Sequence, residues 1–166
     1  EELLRVSHVG ELTLSGSEQM CIVLPCLEEA ESLIIVGDPG TLTSNYHFPY
    51  LTTMGLFAAR GDEPLEVELP SWVGDDSRFG GARIILQDEV ASASFAVLPE
   101  VFLVQLEHSG TVDLPALHTI ATRAQISTPI RAVLPALTLI GDELILIGHD
   151  VTRSVSFEAP LLERIG

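Results

Sequence analysis

Residues 113–160 read DLPALHTIATRAQISTPIRAVLPALTLIGDELILIGHDVTRSVSFEAP, and the fold turns on how this stretch is divided. Asp113 is a good helix N-cap, Pro115 falls in the first turn, and Leu114, Leu117, Ala121 and Ala124 share one stripe at helical spacing. A helix is therefore expected over Asp113–Ala124. Farther on, Leu137–Leu139 and Leu144–Ile147 flank Gly141-Asp142, which reads as a β-hairpin.

Working outward, Tyr50–Arg60 places Leu51, Met54 and Ala58 at helical intervals and stops at Gly61, a suitable residue just past a helix end. The remaining signals are strands. Leu12, Leu14, Ile22 and Leu24 alternate around Gly16-Ser17 as a second hairpin, and Leu33–Val36 is stopped by Gly37-Asp38-Pro39-Gly40. Val67 and Leu69 end at Pro70; Ile84–Leu86, Phe95–Leu98 and Phe102–Leu106 follow; Gly74–Gly81 is a polar, glycine-rich loop. Two helices among roughly ten strands predict an α+β chain. A weak repeat of strand, small turn, strand and proline runs through it: Leu14 to Leu86 is 72 positions and Leu86 to Leu146 is 60.

The last copy of that repeat carries a resemblance. TVDLPALHTIATRA followed by PIRAVLPALTLIGDELILIGHDVTRSVSFEAP is similar to a module of the bacterial sliding clamp, the beta subunit of DNA polymerase III. Leu134 and Leu137 match its first strand, Gly141-Asp142 its turn, Leu144 and Leu146 its next strand, His149-Asp150 its usual Thr-Asp, and Arg153 its arginine. HFPYLTTMGLFAARGDEPLEVELP with ARIILQDEVASASFAVLP resembles the other half-module, and the first thirty residues resemble only its strand part. The resemblance implies curved antiparallel sheet with both helices on one face, divided as a partial strand-rich module over 1–44 and clamp-like modules over 45–100 and 101–166. It also implies kinship with the clamp-like sensory halves of actinobacterial regulators.

Charge then limits what such a domain binds. The 166 residues hold 24 acidic side chains against 8 basic ones, all arginine, for a formal net charge of −16. Affinity for nucleic acid comes mainly from replacing counterions with Lys and Arg, so direct nucleic-acid binding is not expected, nor is attraction to an anionic membrane. The two expected helices offer only Arg60 and Arg123, each near a C-terminus where the helix dipole already accounts for it. No apolar run reaches the ~18–20 residues of a spanning helix, and Glu1-Glu2 do not resemble a signal peptide. A cytoplasmic protein is expected, cut from something longer, because no initiator Met stands at its start.

Catalytic signatures are weak. The five histidines, at 8, 47, 108, 118 and 149, form no short-range ligand pair with each other or with Cys21 and Cys26, and no G-x-S-x-G elbow is present. The cysteines are expected as one buried thiol and one thiol near a turn. Asp75-Asp76 and Asp88-Glu89 read as solvated loop charges. No cofactor, no metal and no catalytic residue are expected.

The candidate binding residues are Phe57, Trp72, Ile120, Arg131 and Arg153. Phe57 and Ile120 belong to apolar surfaces too broad for a narrow helix stripe, which implies a dimer interface or a closed pocket, with Trp72 near its mouth. Arg131 and Arg153 stand beside apolar strand residues, where an arginine pairs with a carboxylate or holds an anionic group. The expected function is a non-enzymatic, regulatory domain that self-associates or binds a protein partner, or takes an apolar or cationic small ligand. A processivity-clamp fragment and an unrecognised enzyme are the alternatives. From the charge alone, duplex DNA should bind no better than about millimolar at ~150 mM salt; a gel-shift titration checks this, and micromolar binding with a steep salt slope overturns it.

Overall fold

The computed structural model describes residues 5–16, 21–37, 44–74, 80–108, 110–127, 130–148 and 156–166. The expected turns at Gly16-Ser17 and Gly37–Gly40 lie partly outside these residues, and Asp75-Asp76, His149-Asp150 and Arg153 lie wholly outside them. The strands are β1 (His8–Gly16), β2 (Cys21–Val23), β3 (Glu29–Gly37), β4 (Ser44–His47), β5 (Thr53–Glu68), β6 (Arg83–Ser94), β7 (Glu100–His108), β8 (Gly110–Asp113), β9 (Thr119–Ser127), β10 (Ile130–Val133), β11 (Leu139–Ile140), β12 (Glu143–Ile147), β13 (Ser156–Glu158) and β14 (Arg164–Ile165).

Every pairing among them is parallel. One ladder stacks β1, β3, β5, β6, β7, β9, β11 and β14, with β12 also on β9; a second stacks β2, β4, β5, β6, β8, β10 and β13. The chain visits the two ladders alternately and climbs one rung per circuit, which makes it a parallel β-solenoid. β5 and β6 bend from the first ladder into the second without a break.

A four-residue corner closes each circuit. Leu24-Pro25-Cys26-Leu27 is one copy, and Phe48, Leu69, Phe95, Leu114, Leu134 and Ala159 start others of the same form. Proline presets the backbone for the second position of a tight turn. The fourth residue's amide then donates back to the first residue's carbonyl, as in Leu51 to Phe48 (3.4 Å), Leu117 to Leu114 (3.3 Å) and Leu137 to Leu134 (3.2 Å). The first and fourth side chains turn inward: Leu114, Leu117, Leu134 and Leu137 are at most 1% exposed.

Between the ladders, inward side chains stack in columns. Leu14, Ile35, Ala59, Leu86, Leu106, Ile126 and Leu146 form one, each opposite the next in register. Ile22, Tyr46, Val67, Ala93, Val112, Ala132 and Phe157 form another on the second ladder. No charged side chain is buried among those the structure describes. Two glycines mark a close approach: a Cβ on Gly61 (φ +155°) would stand 2.5 Å from the Gly37 carbonyl oxygen.

This architecture corrects the α+β, clamp-like reading. Tyr50–Arg60 and Asp113–Ala124 contain no helix: each passes through a corner turn into a strand, β5 or β9. The three-residue spacing of Leu114 and Leu117 belongs equally to a helix and to a Leu-Pro-x-Leu corner, and the β-branched Thr119, Ile120 and Thr122 then extend the chain. Phe95–Leu98, expected as a strand, is a corner, and Asp88-Glu89 lie within β6 instead of a loop. The expected hairpin at Gly141-Asp142 is an irregularity within one rung, since β11 and β12 both lie on β9.

A sliding-clamp module requires α-helices on antiparallel sheet, and neither is present among the described residues, so the resemblance does not hold. The replication and regulator readings lose the resemblance on which they rested. The long repeat has a shorter unit beneath it, the single rung. Leu14, Leu86 and Leu146 occupy one column, three rungs apart each time.

Among the described residues no helix is long and apolar enough to cross a membrane. Leu106→Ala, in the middle of its column, is expected to lower unfolding free energy by ~2–5 kcal/mol, and Gly61→Ala by ~1–3 kcal/mol. Urea titration followed by β-type far-ultraviolet circular dichroism measures both.

Candidate functional site

The circuits of the solenoid are unequal. The second corner position is taken in turn by Pro25, Pro49, Pro70, Ala96, Pro115, Pro135 and Pro160, so successive circuits use 24, 21, 26, 19, 20 and 25 residues. The circuit from Pro70 to Ala96 is the longest of these. Gly74 bridges to Thr53 and Arg83 pairs with Leu56, so nine residues (74 to 83) are used where β5 uses three (53 to 56). Six residues are thus inserted just after Trp72.

Trp72 is fully buried, and its indole N–H faces the carbonyls of Met54 (3.2 Å) and Gly74 (3.1 Å). Met54 donates its own amide to the Gly74 carbonyl at 3.0 Å, which ties the start of the insertion to β5. The chain returns through Gly80 (φ +77°) and Gly81 (φ +100°). At Gly81 a Cβ would stand 2.7 Å from Phe102 Cβ, so only glycine lets Phe102 lie there without a shift.

These segments border an open recess of about 440 Å³, walled by Val73, Gly74, Gly80–Ala82, Pro99–Phe102 and Ala121. Its volume falls in the range of small-ligand sites. Val73 is 55% and Phe102 37% exposed, so two large apolar side chains meet solvent here. Glu100, also exposed, supplies the one ionisable side chain of the lining among the described residues. The Phe102 backbone is held by its amide donating to the Ala82 carbonyl (2.7 Å) and by its carbonyl accepting from Thr122 Oγ1 (2.6 Å). The Arg83 guanidinium carbon lies 5.5 Å from the Phe102 ring centroid, within cation–π range.

The residues expected to bind are placed elsewhere. Phe57, Trp72 and Ile120 are fully buried, and Phe57, Trp72 and Phe95 form an aromatic cluster with centroids 5.6–6.5 Å apart. They support the recess from beneath without lining it: Trp72 precedes Val73 in the chain, and Ile120 stands beside Val101 in register. Arg131 is exposed and pairs with Glu158 at 3.2 Å. Arg153 lies outside the described residues. Cys21 and Cys26 are both free and exposed, which corrects the expected buried thiol: in β2 it is Ile22 that turns toward the core. Sequence reading missed Val73, Glu100 and Phe102; the one signal was the glycine-rich stretch before Arg83.

Among the described residues no group of three or more His, Cys, Asp or Glu is placed to hold a metal ion. Ser7 Oγ lies 2.8 Å from His8 Nδ1, and His8 Nε2 lies 3.7 Å from Glu29, but the histidine is 62% exposed and none of the three lines the recess beside Phe102. His47 instead pairs with Glu68 at 3.0 Å. No protein-family model, no curated protein and no solved structure matches the chain.

The buried indole gives a direct check on this geometry. Trp72, the sole tryptophan, is expected to emit at short wavelength and to resist acrylamide quenching in the folded chain. Trp72→Phe should cost ~1–3 kcal/mol by removing the donor to two carbonyls, as read by urea titration.

Proposed function

We propose that the chain is a non-catalytic binding domain, with the recess beside Phe102 as the seat for a small apolar ligand that carries a cation, or for such a side chain on a protein partner. The observation that carries this reading is the exposure of Phe102 and Val73 in a recess of about 440 Å³ whose wall includes the Glu100 carboxylate. Exposed aromatic surface in a concave site gains by being covered, and burying one such side chain is worth roughly 1.5–3 kcal/mol. Glu100 and the net charge of −16 favour a cation over an anion.

Phenethylamine and 3-phenylpropionate, which share a ring and differ in charge, separate the two contributions when titrated into the ¹⁵N-labelled protein. The amine should shift the amides of Val73, Gly81 and Phe102, and the acid should bind more weakly. Glu100→Gln is expected to weaken the amine about two- to fivefold. Phe102→Ala should weaken both. Shifts scattered over the surface, or none at the recess, would overturn the reading.

A further inference from the structure

Two outward rows, one on each ladder, carry arginines and carboxylates at the same spacing, although each face is mixed in charge as a whole. On the first ladder one outward row runs Leu56, Arg83, Leu103, Arg123, Glu143 over successive rungs. On the second, one row runs Glu68, Ser94, Asp113, Val133, Glu158. Arg83 and Arg123 are thus two rungs apart on one face, and Glu68, Asp113 and Glu158 recur every second rung on the other. With parallel strands about 4.8 Å apart, both intervals are about 9.6 Å.

We propose that a second copy of the chain docks side by side, its second-ladder face on the first-ladder face of its neighbour. Of the two alignments that set both arginines against carboxylates, the one that pairs Arg83 with Asp113 and Arg123 with Glu158 also places Leu103 against Val133 instead of Ser94. Arg83 and Asp113 are exposed and make no ion pair among the described residues, so the contact supplies each with a carboxylate–guanidinium pair, beside the Phe102 ring on which Arg83 already lies. Arg123 pairs within its own chain with Glu143 (3.0 Å), and Glu158 with Arg131 (3.2 Å). These side chains are at least half exposed, and exposed pairs are weak enough to exchange.

Charge complementarity selects a second copy over an unrelated partner because both halves of the match, at one spacing, belong to this chain. The strip is about five rungs, or ~24 Å, long and narrow, short of the ~800 Å² per partner of a stable complex, so the association is weak and concentration-dependent. It joins two different faces, which leaves one of each free and allows further copies to add. The inference rests on the charged rows and not on the ligand reading.

A charge swap tests it. Sedimentation velocity of the full chain from about 10 µM to about 1 mM, at ~150 mM salt, should show association that rises with concentration. Arg83→Glu with Arg123→Glu, and separately Asp113→Arg with Glu158→Arg, should each lower the association constant at least about tenfold. Mixing the two variants restores complementary faces and should restore association. All four positions are exposed, and an unchanged circular dichroism spectrum verifies folding. A wild-type chain that stays monomeric throughout, a variant that associates as the wild type does, or a mixture that stays monomeric would each overturn the proposal.

Discussion

Parallel stacking of equivalent residues, one rung on the next, is the constraint on which the rest of this structure depends. Each strand satisfies its backbone groups through the strands above and below, and each inward side chain meets its equivalents in the same column. A circuit therefore has to return to the same place within a rung's height, whatever its length. The Leu-Pro-x-Leu corner accomplishes this by locking a tight turn and burying two apolar side chains with it.

Circuits of unequal length show where the fold tolerates change. In the circuit from Pro70 to Ala96 the extra residues fall between the corner and the following strand, and the hydrogen-bonded ladder resumes at Arg83 in register with Leu56 and Leu103. The recess lies where the described flanks of that insertion, Val73-Gly74 and Gly80–Ala82, meet Pro99–Phe102 of the next circuit. Glycine at 80 and 81 lets the chain return past Phe102, while Trp72 closes the core beneath.

Electrostatics follows from the same arrangement. With the interior reserved for apolar columns, the described charges are pushed outward, where a strand's alternation assigns them to rows. A row inherits the rung spacing, so residues scattered along the sequence become periodic features in space. Arg83 and Arg123 are forty positions apart in the chain and two rungs apart on the surface.

The sequence by itself determined that strands dominate, that a repeat exists, that the interior is apolar and that the chain carries a formal net charge of −16. Those properties reside in composition and local alternation, which a chain carries before it folds. It did not determine the strands' direction or the repeat's true period, because a leucine three positions from another satisfies a helix and a corner equally well. At Asp113–Ala124 only the neighbouring rung, which pairs β9 with β7 in parallel register, decides for the strand. The recess was hidden for the same reason: Val73 lies on one circuit and Glu100 and Phe102 on the next, and only stacking brings them together.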